Sequence, residues 1–436
     1  MNRRDFLWLL PGLGATGWLT GCAVDPVTGK KTMAFASKED EIAVDKQHSP
    51  HQFSEDYGVS QDRGLNTYVA GVGSQLSSRS HRPDMPFNFQ VVNANYVNAY
   101  AFPGGSIACT RGILLDLDSE DELAALLGHE TGHVNARHYA ESQAKGTLVQ
   151  LASMGLSVAA ASQGAQYGEL AKILGQFGGG ALLSHYSREN EREADALGME
   201  YMVKGGYNPE GMVGLMEMLN SQQKSKPNAL ELMFSTHPMS SERLATTRAR
   251  QQNTPAYAQA VKQPLKRERY MDNTARVRAL RTVIGEEQKA EALLNQKNYE
   301  QAAQHLGSAL SRAPDDYPGL VLMGKAQLAM KRPQEAQPYL DKAKAIYPAE
   351  AQAHHLGGVA NLQMRRPETA LAGFQEYERL LPGNPNTVFL KGYSYEMMQN
   401  KRAAAQEYYR YAQLTQQQGS QAQYAISRLK SWGVVR

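Results

Sequence analysis

The chain is poor in cysteine and has almost no net charge. Its 436 residues include two cysteines, Cys22 and Cys109. Cys22 lies in a processing motif described below, which leaves Cys109 without a partner, so we expect no disulfide framework. The formal net charge of +3 at pH 7 is too small to indicate a nucleic-acid partner, and none is predicted. The length favours two or three domains.

Long apolar runs are also lacking. This argues against a membrane-spanning helix, which needs ~20 apolar residues. In the stretch 146–180, which is rich in alanine and glycine, Gln150 interrupts the most apolar part. We expect one or two helices there that pack against the rest of the domain. The sequence leaves open whether they form a movable lid over a cleft or plain core helices.

The amino terminus is typical of a secretion signal. Arg3 and Arg4 precede Asp-Phe-Leu and an apolar run to Trp18, a pattern that resembles a twin-arginine export signal. The sequence LTGC that ends at Cys22 resembles a bacterial lipobox, which implies a lipid on that cysteine. Ala23 resembles the residue found there in lipoproteins sorted to the outer membrane, which implies the periplasmic face of that membrane. The alternatives are an uncleaved anchor and an ordinary buried cysteine.

The sequence HETGH at 129–133 contains the pattern HExxH. Residues four apart leave the same face of a helix, so His129 and His133 can hold one metal ion with Glu130 beside it. Zn²⁺ prefers imidazole nitrogen and carboxylate oxygen, and in catalytic sites it keeps one position open for water. A neighbouring carboxylate can take the proton of that water and pass it to a leaving amine, which hydrolyses a peptide bond. The alternative is a solvated helix that carries two histidines by chance.

Local signals place this pattern on a helix. Ser119 with Glu122 is typical of a capping box, and Glu120 and Asp121 suit the positive end of a helix dipole. Apolar residues recur at helical spacing in the same stretch, namely Leu123, Leu126, Leu127 and Val134.

A second acidic motif at 187–198, SRENEREADALG, offers a third ligand. Glu191 and Asp195 share a helix face, so one carboxylate can bind the metal while the other orients a liganding histidine. The residues alone do not decide which carboxylate has which role.

Four motifs together resemble a known family, the membrane-associated zinc endopeptidases that include CAAX prenyl proteases and bacterial β-barrel assembly-enhancing proteases. The resemblance covers roughly residues 55–250. The motifs, in the family's order, are NAYAFPGG at 98–105, HETGHVNARH at 129–138, SRENEREADALG at 187–198 and STHP at 235–238.

The resemblance implies one Zn²⁺ per chain and a role for each matching residue. It implies His129, His133 and Glu191 as ligands and Glu130 as the base. It implies Asp195 as a residue that supports a ligand without binding the metal itself. Glu193 is a rival ligand, but the family pattern places the metal on the first acid of ExEAD.

We predict a strand, a turn and a strand over 98–110, with the turn at Pro103-Gly104-Gly105. In zinc peptidases of this type an edge strand holds the substrate backbone as one more strand. Asn98 and Ala99 resemble the Asn-Ala pair that thermolysin-like enzymes place at that edge. The alternative is a plain hairpin, because asparagine and glycine are ordinary turn residues.

His237 and Arg243 are further candidates for catalysis. His237 can donate a hydrogen bond to the oxyanion of the tetrahedral intermediate, or it can occupy the open metal position and keep the enzyme inactive. Arg243 is a second candidate for stabilising that charge. The alternative for His237 is a structural role in a turn before a helix. His138, which is five residues after His133, and His185 are expected to be structural.

A repeat of 34 residues fills the carboxyl-terminal third. Its period and residue types match the tetratricopeptide repeat, a helix pair whose small residues allow close packing. Four repeats fit between 283 and 418, with a closing helix at 421–432, and such an array has a concave face that binds peptides or partner helices. The repeated positions are Pro314, Pro348 and Pro382 (348 − 314 and 382 − 348), and Gly324, Gly358 and Gly392.

Tyrosines of the last repeat are candidates for aromatic contacts with a partner, or for packing between repeats. They are Tyr393, Tyr408, Tyr409 and Tyr411.

We therefore predict an α+β zinc metallopeptidase domain followed by an all-α tetratricopeptide-repeat superhelix. The predicted parts are a signal peptide (1–21), a lipidated polar tether (22–55), the peptidase domain (56–255), a linker (256–282) and the repeat domain (283–436).

The predicted function is a zinc-dependent endopeptidase of the bacterial periplasm whose repeats recruit substrates or dock onto an assembly machine. The resemblance implies misfolded or stalled outer-membrane proteins as substrates. It also implies unfolded or misassembled envelope proteins and the β-barrel assembly machinery as partners, with membrane contact through the lipid. The alternative is a chaperone or scaffold for outer-membrane protein assembly with a mostly latched zinc site.

Overall fold

The computed structural model of the protein describes residues 37–142, 186–225 and 241–435, and also 23–24, 26–27, 29, 31–32, 233 and 236–238. The predicted signal peptide, Cys22, His185 and the stretch 146–180 lie outside the described residues. Within the described ranges, no helix combines the length and the apolar character needed to cross a membrane.

The part that precedes the repeats is mostly helical and contains a small sheet, as the α+β prediction requires. Its elements are β1 (Ala23–Val24), β2 (Lys31–Thr32), α1 (Lys38–Glu55), α2 (Arg63–Ser77), β3 (Asn88–Val92), β4 (Ala99–Ala101), β5 (Ser106–Thr110), α3 (Arg111–Leu114), α4 (Glu120–Asn135), α5 (Arg188–Lys204), α6 (Glu210–Ser225), α7 (Ser241–Asn253), α8 (Pro255–Ala260) and α9 (Arg267–Ala279).

The sheet has three strands in the order β3, β5, β4. β3 runs parallel to β5, with Asn88 opposite Ser106. β4 runs antiparallel to β5, with Ala99 opposite Cys109. The predicted hairpin over 98–110 is therefore present, and β4 is an edge strand of this sheet.

Helix α4 carries the HExxH pattern through the centre of the domain. Ser119 caps its amino terminus by accepting a hydrogen bond from the backbone of Glu122. The reciprocal half of the predicted capping box is absent, because Glu122 Oε2 instead accepts from the backbone of Asp118 at 2.6 Å. Nearly every residue of α4 is buried, and its apolar side chains join one core with α2, the sheet, α5 and α6.

The predicted tether is wrong for residues 38–55, which form helix α1. Glu41 is 2% exposed, and it pairs with Arg82 at 2.6 Å and with Arg137 at 2.7 Å. Asp45 Oδ2 accepts from the backbone of Ser106 in β5 at 2.8 Å. The buried residues of α1 are polar, so a search for apolar periodicity could not find this helix.

The predicted linker is also wrong, because most of residues 256–282 pack as helices α8 and α9. Tyr270 of α9 is completely buried in the core of the peptidase domain. Its hydroxyl donates to the carbonyl of Leu114 at 2.6 Å. The basic stretch from Lys262 to Arg269 lies largely on the exposed side of this segment.

The repeat domain has the predicted four helix pairs and the closing helix, and the predicted fold class is thereby confirmed. The pairs are α10 (Arg281–Asn295) with α11 (Tyr299–Arg312), α12 (Tyr317–Ala329) with α13 (Pro333–Ile346), α14 (Gln352–Gln363) with α15 (Pro367–Leu380), and α16 (Pro385–Met397) with α17 (Lys401–Leu414), followed by α18 (Ser420–Ser431).

The repeated glycines have a packing role within each pair. A Cβ atom on Gly324 would lie 2.5 Å from Leu340, and a Cβ atom on Gly358 would lie 2.6 Å from Phe374. Each glycine of a first helix therefore makes room for a bulky residue of the second helix. Tyr408 takes this place opposite Gly392, so Tyr408 packs between helices, while Tyr409 is largely exposed.

Buried charges join the first two repeats to the peptidase domain. Arg111 at the start of α3 pairs with Glu287 of α10 and, at 2.7 Å, with Asp316 at the start of α12. The hydroxyl of Tyr57, just after α1, donates to Glu291 at 2.9 Å. The repeats are thus fixed to the domain that carries the HExxH helix.

We predict that the substitution Glu41→Ala destabilises the peptidase domain. Arg82 and Arg137 would lose the buried carboxylate that they share, so the free energy of unfolding should fall by about 3–5 kcal/mol, measured by urea denaturation followed by circular dichroism. The matched control on the same helix is Lys38→Ala. It removes a surface ion pair with Asp84 and should cost about 0–1 kcal/mol. Equal losses in the two variants would contradict an integral role for α1.

Candidate metal centre

The close approach of α4 and α5 brings the two sequence motifs together. A Cβ atom on Gly132 would lie 3.0 Å from the carbonyl oxygen of Ala194, and one on Gly198 would lie 2.9 Å from the backbone nitrogen of His129. Only glycine fits these positions without moving a backbone. The second acidic motif therefore lies directly beside the HExxH pattern.

Four buried side chains converge at this contact: His129, His133, Glu191 and His237. One potential ligand atom from each lies within 4.8 Å of those of the other three. The Nε2 atoms of His129 and His133 are 3.0 Å apart. Glu191 Oε1 lies 3.3 Å from His133 Nε2, and Glu191 Oε2 lies 3.5 Å from His129 Nε2. The structure thus brings the three predicted ligands together.

The donor atoms fit a zinc ion. Two imidazole nitrogens and one carboxylate oxygen form a set that catalytic zinc sites use, with a further position for water. Glu130 is beside the cluster and 1% exposed. Its Oε2 atom is buried and accepts no hydrogen bond from any described residue. A buried oxygen without a partner is costly, which suits a carboxylate whose partner is a bound water.

Asp195 and Arg243 lie behind the cluster. Asp195 Oδ1 is 2.9 Å from Nδ1 of His129, on the side of the ring that faces away from the cluster. Arg243 donates to both carboxylate oxygens of Asp195 at 2.7 and 2.8 Å and lies 2.6 Å from Glu191 Oε2. The guanidinium of Arg243 is therefore directed at these two carboxylates, whereas the sequence suggested a contact with substrate.

Burial and charge act in opposite directions on the protonation of the cluster. Burial disfavours the charged form of His129, but the carboxylates of Glu191 and Asp195 outweigh it and raise the pKa of His129 to about 10. Burial lowers the pKa of His133 well below its ordinary value. Burial alone would raise the pKa of Glu191, but the charges of His237 and His129 hold it well below its ordinary value. Burial raises the pKa of Glu130. A metal ion on His129 would replace its proton, since metal binding to histidine releases protons.

His237 contacts the cluster directly. Its Nδ1 atom is 3.0 Å from Glu191 Oε1, and its Nε2 atom is 3.6 Å from Glu130 Oε1. The side chain is buried. Its position suits a fourth donor and also lies next to the base.

Sequence reasoning missed the contacts of His138. Glu193 is not part of the donor set, and its Oε2 lies 3.4 Å from His138 Nε2 instead. His138 Nδ1 is 2.8 Å from Nδ1 of His133. Helical spacing did not predict this contact, because α4 ends at Asn135 and Arg137 adopts a left-handed conformation with φ 57°.

Tyr186 is a second neighbour of the cluster that the sequence gave no reason to expect. Its ring stacks on that of His133, with ring centroids 4.0 Å apart and planes 18° from parallel. It immediately precedes the second acidic motif, and proximity to that motif is the only signal in the sequence.

Ala99 begins β4, which contacts α4, and Asn98 immediately precedes it. The backbone carbonyl of Asn98 accepts from Thr110 at 3.0 Å, which closes the hairpin. Both polar atoms of the Asn98 side chain are buried and make no hydrogen bond to described residues. This side chain is therefore able to take a further hydrogen-bond partner.

We predict that Glu191 and not Glu193 binds the metal. Glu191→Gln should weaken zinc binding by about 100-fold or more, because an amide oxygen is a neutral and weaker ligand than a carboxylate. Glu193→Gln, the matched control on the same helix, should keep one zinc ion per chain. Zinc content by plasma emission spectroscopy and affinity by chelator competition measure both. Loss of zinc from Glu193→Gln alone would reverse the assignment.

Two family profiles match the chain. The profile described as Peptidase family M48 matches residues 64–251, and a Tetratricopeptide repeat profile matches residues 293–358. The protein is 30% identical over 209 residues to the beta-barrel assembly-enhancing protease of Escherichia coli (strain K12), over 45% of this chain and 42% of that relative. This chain therefore spans less than half the length of that relative.

Two shorter relatives are covered more completely. The metalloprotease YcaL of Escherichia coli (strain K12) is 33% identical over 235 residues, which cover 53% of this chain and 87% of the relative. The mitochondrial metalloendopeptidase OMA1 of Schizosaccharomyces pombe is 31% identical over 258 residues, which cover 56% and 72%. The resemblance inferred from the four motifs is thus confirmed, and the chain belongs to peptidase family M48, a family of zinc metalloproteases, with tetratricopeptide repeats on its carboxyl-terminal side.

Proposed function

We propose that the protein is a zinc-dependent endopeptidase of the bacterial envelope. The observation that carries the proposal is the buried cluster of His129, His133 and Glu191 with Glu130 beside it, whose Oε2 atom has no partner among the described residues. A donor set for zinc next to a buried carboxylate is the arrangement that peptide hydrolysis by a metallopeptidase requires.

Each residue then has a defined role. His129, His133 and Glu191 hold the metal. Asp195 orients His129 by accepting a hydrogen bond from Nδ1 of that histidine. A bound zinc ion supplies Lewis-acid chemistry for the peptide carbonyl. Glu130 accepts a proton from the attacking water at Oε2 and returns it to the leaving amine. Arg243 holds Asp195 and Glu191 in place, which is a positioning role.

The substrate chain lies along the edge of β4 that pairs with no described strand. An extended peptide there would gain backbone hydrogen bonds as a further strand, a mode that reads little sequence. The buried side-chain amide of Asn98, which has no partner among the described residues, supplies further hydrogen bonds to the peptide. Ala99 keeps the strand surface small beside α4. This mode suits unfolded segments of varied sequence.

The repeat domain recruits the substrate or docks onto a partner. A relative carries the name beta-barrel assembly-enhancing protease, which supports a role in the assembly of β-barrel proteins. The proposed substrates are misfolded or stalled outer-membrane proteins, and the proposed partner is the β-barrel assembly machinery. The lipobox supports a lipid on Cys22 that anchors the chain to the periplasmic face of the outer membrane. The proposed order of parts is then anchor, peptidase domain and repeats.

A second candidate function is a chaperone or scaffold whose zinc site is mostly latched. The specific observation in its favour is His237, which contributes one ring nitrogen to the donor set. A fourth protein ligand would close the position that a catalytic zinc ion keeps for water.

We predict that Glu130→Gln lowers kcat/KM for casein by about 10²–10⁴-fold while one zinc ion per chain remains bound. Glutamine keeps the size of the side chain but cannot accept a proton. Glu189→Gln, an exposed position on α5, is the matched control and should retain full activity. Cleavage by Glu130→Gln at the wild-type rate would sink the proposed role of Glu130. Rescue of an envelope defect by this variant as well as by wild type would favour the scaffold.

A latching role for His237 predicts that His237→Ala increases casein cleavage several-fold at unchanged zinc content, because removing the ring opens the position beside Glu130. Steady-state kinetics and metal analysis on the same samples measure this. A loss of kcat with an unchanged KM would instead assign His237 to stabilisation of the oxyanion. Such a loss would contradict the latch.

A further inference from the structure

We propose that His138 is a positioning residue that fixes the tautomer and the ring orientation of His133 for metal binding. The inference rests on the proposed function, because it concerns how His133 holds zinc. Nothing in the family resemblance or in the spacing of the motif assigns this role to His138, and the sequence predicted a structural one.

The first argument is the contact between the two rings. Nδ1 of His133 lies 2.8 Å from Nδ1 of His138, and both side chains are almost completely buried. Two ring nitrogens at this distance are stable only if one carries a hydrogen and the other offers a lone pair. Since Nε2 of His133 faces Glu191 and His129, this atom must keep its lone pair for the metal. The hydrogen of His133 therefore lies on Nδ1, and His138 accepts it.

The second argument is the far side of His138. When Nδ1 of a neutral histidine accepts, its hydrogen lies on Nε2. Nε2 of His138 faces Glu193 Oε2 at 3.4 Å, so the remaining hydrogen points towards a carboxylate. The three residues thus form one consistent series of donors and acceptors that runs outward from the cluster. Glu193 is partly exposed and the distance is long, so its contribution to the series is small.

The third argument is how the chain places His138. Helix α4 ends at Asn135, and Arg137 turns the chain back with φ 57°. Few residues other than glycine adopt this conformation without compensation. Glu41 of α1 holds the Arg137 side chain at 2.7 Å, and Arg82 donates to the carbonyl of Val134 at 2.9 Å. These contacts fix the turn that places Nδ1 of His138 beside Nδ1 of His133.

The two liganding histidines therefore have different supports. His129 donates to Asp195, a carboxylate that is itself held by Arg243. His133 donates to a neutral imidazole and is stacked on Tyr186. A partner of this kind typically changes metal affinity by about 10–100-fold when it is removed. Changing His138 is thus predicted to alter zinc affinity, although His138 itself does not contact the metal.

Two variants of similar size separate the hydrogen bond from packing. His138→Asn keeps an acceptor, because Oδ1 of asparagine lies where Nδ1 of histidine lies, and it should bind zinc within about threefold of wild type. His138→Leu removes the acceptor and should weaken zinc binding by about 10–100-fold. Glu189→Gln, at an exposed position of α5, is the control and should lie within about threefold of wild type. Chelator competition measures all four affinities, and thermal unfolding of the metal-free proteins checks that each variant folds.

Wild-type zinc affinity in His138→Leu would overturn the inference. An equal loss of zinc affinity in His138→Asn and His138→Leu would also overturn it, because the effect would then come from the volume of the ring. A measurement on the unchanged protein covers the case in which leucine prevents folding. In the zinc-loaded protein with ¹⁵N-labelled histidine, NMR should show Nδ1 of His133 bearing hydrogen and Nδ1 of His138 without it. The opposite tautomer overturns the inference even if zinc binds. Failure of the wild-type protein to bind zinc would overturn the proposed function itself.

Discussion

The close packing of α4 against α5 is the contact on which the rest of the structure depends. Gly132 on one helix and Gly198 on the other bring the backbones so near that an added Cβ atom would lie about 3 Å from the opposite backbone. This approach places Glu191 within 3.5 Å of both ligand histidines. A wider spacing would separate the carboxylate from the imidazoles by more than a metal ion can bridge.

Charged groups behind the cluster hold its geometry. Arg243 fixes Asp195, which in turn contacts His129, and Glu41 fixes the turn that follows His133 through Arg137. Forming buried ion pairs of this kind adds little net stability, because the cost of removing both charges from water offsets their attraction, whereas removing one partner is costly because the other charge stays buried without it. They do restrict the possible arrangements, and a metal centre needs its ligands within a fraction of an ångström of the productive geometry.

The repeats contact the peptidase domain through the same kind of interaction. Arg111 follows directly after β5, a strand of the central sheet, and it reaches Glu287 and Asp316 in the first two repeats. A partner that binds to the repeats would therefore be held in a defined relation to the sheet edge at β4. This coupling gives a physical reason for joining a recognition array to a hydrolytic centre in one chain.

The sequence determined the parts that follow local rules. The helical spacing of HExxH, the hairpin at 98–110 and the 34-residue repeat could all be predicted, because each depends on neighbours in the chain. Tertiary structure decided what depends on distant neighbours. Helix α1 was missed because its buried face is polar, and its partner Arg82 is 41 residues away from Glu41. The contact of His138 was missed because it depends on where α4 ends, and contacts with the distant residues Glu41 and Arg82 fix that end.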